Sequence, residues 1–526
     1  MKTKQIISGF LILLVSSTGF AQKNKIAVSS VKIASGMISG TTGQDAKVMA
    51  FKGIPYAAPP LADLRWKEPQ PVKSWQGVRK CDTFGPIAPQ KRTGAFPPYT
   101  TEMMIPAEGT ISEDCLYLNV WTTAKSTNDK RPVIVFIHGG SFGGGSGSIS
   151  IYDGESMAAK GVVFVTINYR IGGFGFFAHP ELTKESPNHA SGNYGIMDQI
   201  AALKWVKKNI ASFGGNPDNV TIAGQSAGSM SVNVLDASPL AKGLFHKIIA
   251  ESGAFVVNHS FFNIETLENE EKKGAKLMKD AGITSIAELR KLPADQIITL
   301  DKVNMLPAYE VNIDGYVLPE HLIDIYAKGK QTDVPLLTGW NAGEKFPMRK
   351  TLSAYNSYLS DYGVFAEKLK KAYPATNDAE AKKAMDAIAR DRESFGFQNY
   401  AWARIQSEKG KSKAFVYFFN RDLPEEGGTH KFGAFHTSEV PFAYGNLKKF
   451  SRPWTPADYQ LSNLMQTYWV NFATKGDPNG AGIPVWPAFN KDKGEVMNLD
   501  VESKAIQYPT YEGMELFYQH ATSKAH

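Results

Sequence analysis

The chain has few cysteines: its 526 residues hold two, Cys81 and Cys115. One bridge at most can form, and there is no cysteine cluster to hold a metal. No His-Glu-x-x-His pattern occurs either, so neither a catalytic metal nor a bound cofactor is expected. Charge of one sign is also scarce. Lysine and arginine number 58 against 51 acidic residues, for a formal +7 without a concentrated basic stretch. Pairs such as Lys207-Lys208 sit in mixed patterns that read as solvated helix faces, which leaves no footprint for nucleic acid. No run is long and apolar enough for the roughly 20 residues of a membrane span, so no integral membrane segment is expected in the mature chain. Long linkers rich in proline, glycine or serine and internal repeats are missing too, so nothing divides the chain into independent modules.

What is present is a composition for a large core with many turns: 43% hydrophobic residues and 47 glycines. Residues 1–21 have the three parts of a secretory leader: Lys2 and Lys4, a largely apolar run over 6–15, and Gly19-Phe20-Ala21 before the cut expected after Ala21. A secreted or periplasmic protein is expected, in a compartment where a disulfide could persist. The two cysteines fit a bridge and two buried thiols equally well.

Between residues 133 and 252, apolar runs alternate with helix-period segments. Residues 162–168 and 220–223 read as strands and 197–210 as a helix. That alternation predicts a mostly parallel sheet covered on both faces, an α/β fold. Residues 265–290, 364–373 and 378–392 read as helical. They make residues 22–526 one catalytic domain with helical insertions at about 255–330 and 350–430, which cap the sheet. A final helix is predicted over 458–474, stopped by Gly476-Asp477-Pro478-Asn479-Gly480.

Two segments match Gly-x-Ser-x-Gly. Gly224-Gln225-Ser226-Ala227-Gly228 follows the strand-like Val220-Thr221-Ile222-Ala223 and precedes a helix-competent stretch. That is the context of a nucleophile elbow, where a Cβ at either glycine would clash with neighbouring backbone. Gly139-Gly140-Ser141-Phe142-Gly143 also follows a strand-like run but leads into Gly143-Gly144-Gly145-Ser146-Gly147, a poor helix start. Ser226 is therefore the candidate nucleophile, and the His138-Gly139-Gly140 loop is the type that offers N–H groups to a developing oxyanion.

A serine needs a base and an acid to orient that base. Residue types leave the base open among the histidines after Ser226: His246, His259, His321, His430, His436, His520 and His526. The surroundings Phe432-Gly433-Ala434-Phe435 suggest a tight loop presenting His436. The loose glycine pattern at Gly173-Phe174-Gly175 follows a strand-like run, but no acidic partner stands out at the dinucleotide distance.

Further motifs add a resemblance. Phe51-Lys52-Gly53-Ile54-Pro55-Tyr56-Ala57, Ser112-Glu113-Asp114-Cys115-Leu116-Tyr117-Leu118-Asn119-Val120, Asn168-Tyr169-Arg170, Asp198-Gln199, the elbow region, and Tyr468-Trp469-Val470-Asn471-Phe472-Ala473 occur in that order. Together they resemble the type-B carboxylesterase and lipase family of the α/β-hydrolase superfamily, related to para-nitrobenzyl esterases and cholinesterases, over almost the whole mature chain. The resemblance implies a serine carboxylesterase acting on small-molecule esters. Ser226 would be the nucleophile, Glu344 the acid and His436 the base, with Gly140, Ser141 and Ala227 supplying the oxyanion N–H groups. It also implies structural ion pairs Arg65 with Glu113 and Arg170 with Asp198, and a supporting place for Glu439. The order Ser226, Glu344, His436 agrees with the chain order known for the fold. The chain departs from the family at Gln225, where Glu is usual, at Gly343-Glu344-Lys345 in place of Asp-Glu-Gly, and at Ser141, where Gly or Ala is commoner. The family's partner for Cys115, expected near Ala88-Pro89-Gln90, is absent, which leaves Cys81 as the alternative. An apolar segment, residues 96–105, falls where the family has a loop over its gorge and would favour apolar or aryl esters. Two alternatives stay open: an inactive binding homologue on the same fold, and a hydrolase that prefers amides, carbamates or lactones.

Overall fold

The computed structural model describes residues 30–257, 259, 263–300, 310–425 and 432–523. The expected leader, and His430 and His526 among the candidate bases, lie outside the described residues. Among the described residues, eleven strands form the main sheet: β1 Thr41–Thr42, β2 Met49–Pro55, β3 Tyr117–Thr122, β4 Arg131–Ile137, β5 Val163–Ile167, β6 Gly215–Gln225, β7 Lys247–Glu251, β8 Leu336–Asn341, β9 Ala414–Phe419, β10 Glu495–Leu499 and β11 Lys504–Gln507. Their spatial order is β11, β10, β9, β8, β7, β6, β4, β5, β3, β2, β1. From β5 through β10 neighbours run parallel, and antiparallel strands close both edges. Helices that matter below are α1 Tyr194–Asn209, α2 Ala227–Ala237, α3 Phe395–Lys409, α4 Pro456–Lys475 and α5 Tyr511–Ser523.

The central strands read as continuous apolar runs because both faces are covered. Along β4, Val133, Val135 and Ile137 enter one apolar cluster while Ile134 and Phe136 enter the other. This is the two-residue alternation of a strand, here with apolar side chains on both sides. The chain passes from β4 to β5 on one side and then to β6 on the other. Such a reversal opens a crevice beyond the carboxyl ends of the strands, where α/β sheets place their sites.

Helix ends follow from local chemistry. Thr455 and Asp458 form a capping box at the start of α4, Pro456 occupies its first turn, and Gly476 ends it at φ 74°, a left-handed conformation that glycine adopts without a Cβ clash. The predicted helix over 458–474 thus exists, but it is not the last, since α5 follows it. The sheet's antiparallel edges were also not visible in the sequence, because β1 and β11 are short and half polar.

Among the described residues, helices lie between β7 and β8 and again between β8 and β9. The second set ends at Lys409, earlier than the predicted 430. Ala414–Phe419 is an entirely buried apolar strand that pairs with β8, which outweighs continuation of the helical run.

Candidate active site

Strand β6 ends at Gln225 and helix α2 begins at Ala227, so Ser226 alone makes the turn, at φ 57° and ψ −125°. A non-glycine residue held there costs about 1–3 kcal/mol and persists only when its surroundings fix it. Here the Ser226 N–H donates to the Glu251 carbonyl at 2.9 Å, and the Ser226 carbonyl accepts from Met230 N–H at 2.9 Å. The flanking glycines have no room for a side chain. A Cβ on Gly224 would lie 2.3 Å from the Gly228 carbonyl oxygen, and one on Gly228 would lie 2.0 Å from that of Ile137.

The other Gly-x-Ser-x-Gly segment leaves the end of β4 as a loop. Gly140, Ser141 and Phe142 all have positive φ, at 110°, 53° and 55°. Gly139 packs against the elbow: a Cβ there would approach the Gln225 carbonyl oxygen to 2.6 Å. Gln90 clamps the far side, accepting from Gly145 N–H at 2.8 Å and donating to the Gly145 carbonyl at 2.9 Å. The N–H groups of Gly140 and Ser141 have no acceptor among the described residues, and Ala227, as the first residue of α2, has none inside its helix. His138 is engaged by its own neighbours. It stacks on Tyr169 at 4.4 Å, bonds through Nδ1 to the Gly139 carbonyl, and is pushed down to about 4 by burial, so its ring is neutral.

Glu344 follows β8, and His436 lies in the loop after β9. His436 Nδ1 is 2.6 Å from Glu344 Oε1. The second oxygen, Oε2, accepts from Asn341 N–H at 3.0 Å, and Asn341 Nδ2 donates to the Phe435 carbonyl at 2.9 Å. Phe395 stacks on the imidazole at 4.2 Å and 11°. His436 Nε2 lies 3.2 Å from Nε2 of Gln225, the residue preceding Ser226. The structure therefore gathers Ser226, Glu344 and His436, with Gly140, Ser141 and Ala227, at the carboxyl end of the sheet.

Beneath them lies a buried acid pair. Glu251 accepts from Tyr444 and Trp469, yet burial pushes its carboxyl up to about 8. Burial, and then the nearby Glu251 and Glu344 carboxylates, raise Glu439 well above the usual range, and Asn341 Nδ2 contacts it. Burial thus disfavours negative charge on both carboxyls beneath Glu344.

Sequence reasoning missed Gln90, Asn341, Glu251 and Phe395. The available signal for Asn341 and Glu251 was position: both end parallel strands at the edge where such sites collect.

The two ion pairs form at a distance from this chemistry. Arg65 grips Glu113 with two bonds, of 2.7 and 2.5 Å, and also donates to the Arg290 and Leu292 carbonyls. Arg170 grips Asp198 with two 2.7 Å bonds, fully buried. Gly175 serves packing: a Cβ would meet the Arg170 carbonyl oxygen at 2.2 Å. The candidate Cys81 to Cys115 bridge is not formed, and both thiols are free and buried. Cys81 is pinned between Ser39 and Lys52 by backbone bonds, whereas Cys115 sits in a tight turn between Glu113 and Tyr117. Each packs in its own surroundings as a small apolar group.

A cleft of about 500 Å³ is lined by Phe96, Tyr99, Glu102, Phe432, Phe450 and Arg452, among others. It adjoins the His436 loop, because Tyr99 meets the ring of Phe435 edge-on at 5.6 Å.

The carboxylesterase family matches over residues 27–517. Fumonisin B1 esterase of Sphingopyxis macrogoltabida is 35% identical over 492 residues, covering 88% of this chain and 85% of that protein. Para-nitrobenzyl esterase of Bacillus subtilis (strain 168) is 36% identical over 494 residues, covering 89% and 94%. A solved PNB esterase superposes with a TM-score of 0.78 at 32% identity, covering 93% of this chain and 99% of that one.

Proposed function

The chain belongs to the carboxylesterase family and is a carboxylic ester hydrolase of the α/β-hydrolase fold, and we propose that it works through Ser226, His436 and Glu344. His436 takes the Ser226 proton as the hydroxyl oxygen attacks the ester carbonyl. The N–H groups of Gly140, Ser141 and Ala227 hold the oxyanion. The alcohol leaves with the proton from His436, and water, activated by the same ring, releases the acid from the acyl-serine. Glu344 keeps the imidazole proton on Nδ1 and stabilises the charged ring.

One observation carries this reading. The imidazole that Glu344 holds at Nδ1 turns its other nitrogen to the residue next to a strained serine, beside a loop whose Gly140 and Ser141 N–H groups have no acceptor among the described residues. Hydrolysis of a para-nitrophenyl ester series by the purified protein, alongside Ser226→Ala, tests it. Turnover that disappears in the variant is expected, and turnover retained there rejects Ser226.

The preferred substrates are apolar or aryl esters of small to medium size. Support comes from the aromatic walls of the cleft beside His436 and from a relative named for a para-nitrobenzyl ester. Phe96→Ala should lower the preference for aryl over methyl esters by about threefold to tenfold, and an unchanged ranking rejects the idea. Export is proposed on the leader-like composition of residues 1–21. Amino-terminal sequencing of protein recovered outside the cytoplasm should begin at Gln22, and an uncut terminus rejects it.

A further inference from the structure

The lone pair that His436 needs for the Ser226 proton already has a partner. With Nδ1 2.6 Å from the Glu344 carboxylate, the ring proton sits on Nδ1, since two facing lone pairs would repel. Nε2 is then an acceptor, and the group 3.2 Å away is the side-chain nitrogen of Gln225, which donates to it. Gln225 is buried, adjoins Ser226 in the chain, and is fixed by its pairing with Glu251 across β6 and β7. The proposed proton transfers between Ser226 and His436 make no use of it.

We propose that Gln225 is a positioning residue for His436: its amide holds the resting imidazole uncharged, with the Nε2 lone pair on Gln225, the residue next to the nucleophile, and yields that lone pair to the Ser226 hydroxyl when substrate binds. The inference rests on the proposed roles of Ser226 and His436. An amide can donate to the neutral ring, whereas a carboxylate at this position could only accept and would favour the protonated ring. The other groups facing the imidazole are accounted for. Glu344 holds Nδ1, Phe395 covers one ring face, and the buried Glu251 and Glu439 lie beneath with Tyr417 and Tyr99. Arg452 lies over the neighbouring Phe435 ring at 5.9 Å, and Lys345 is exposed beside Glu344 in the chain.

The test is the pH profile of kcat/KM for a para-nitrophenyl ester with wild type, Gln225→Glu and Gln225→Met. The acid limb should move up by about one pH unit in Gln225→Glu, and in the same direction by less in Gln225→Met, which lacks the donor. The limb's midpoint is read independently of plateau height, and the burst of leaving group per chain counts folded sites. Should the Glu variant not fold, the nearly isosteric Met variant decides. A limb at the wild-type position, or one displaced to lower pH, overturns the proposal. Absence of wild-type turnover, or turnover retained in Ser226→Ala, instead overturns the reading on which it rests.

Discussion

The backbone N–H of Asn341 donates to Glu344 Oε2 at 3.0 Å, so the last residue of β8 fixes the carboxylate that meets His436. The same Asn341 side chain donates to the Phe435 carbonyl, one residue before that histidine. One strand end therefore sets both halves of the pair. Asn341→Ala should lower kcat at least tenfold, change KM little, and cost about 1–3 kcal/mol of stability by removing one donor from the Phe435 carbonyl, which keeps that of Ser438, and one from Glu439. Steady-state kinetics and denaturant melts check this, and unchanged kcat with lost stability would make Asn341 a packing residue only.

Glu344→Gln keeps the shape of the side chain but removes the charge that fixes the imidazole tautomer. A fall in kcat of about 10³ to 10⁴-fold is expected, with the fold retained. A loss below tenfold would place the orienting acid elsewhere.

Gly228→Ala puts a methyl 2.0 Å from the Ile137 carbonyl oxygen, backbone against backbone. Because neither β4 nor α2 can yield cheaply, the variant should lose the elbow and nearly all activity. A variant with normal burst amplitude and melting temperature would contradict the packing described for the turn.

Much of this site was legible in the sequence, for definite reasons. Two glycines around Ser226, a strand before it and a helix after it are local constraints, and local constraints leave local patterns. Glu344 and His436 were different, since seven histidines follow Ser226 and only the resemblance singled out one of them. Their meeting depends on β8 and β9 being neighbours, a property of the sheet order that no short window of sequence contains. Gln90 and Phe395 were invisible for the same reason. The end of the second insertion was misjudged because the all-apolar run of β9 suits a buried strand and a buried helix alike.

Asp236, near the end of α2, accepts from Tyr326 at 2.6 Å while its Oδ1 has no partner among the described residues. Burial pushes its carboxyl up to about 8, and the Tyr326 hydroxyl only partly opposes this. The folded state thus binds a proton that the unfolded chain releases near pH 4. That contribution to stability is complete below about pH 4 and is lost as pH rises towards 8. Asp236→Asn should melt like wild type near pH 4 and become the more stable by roughly 1–4 kcal/mol near pH 8. Parallel stability curves across that range would contradict the neutral carboxyl.

Cys81 and Cys115 are both free and buried, and burial pushes the Cys81 thiol up to about 11. A thiol reagent should label neither in the native protein and both in denaturant, and dithiothreitol should leave the melting temperature unchanged. A reductant-sensitive melt would indicate a bridge.

Trapping the covalent intermediate tests the proposed chemistry most directly. The protein is treated with an organophosphate ester that reacts once with an activated serine, and then digested and mapped by mass spectrometry. A single adduct on the peptide carrying Ser226, absent in His436→Ala, is the expected result. An adduct on Ser141, or none on a protein that hydrolyses esters, would contradict the mechanism.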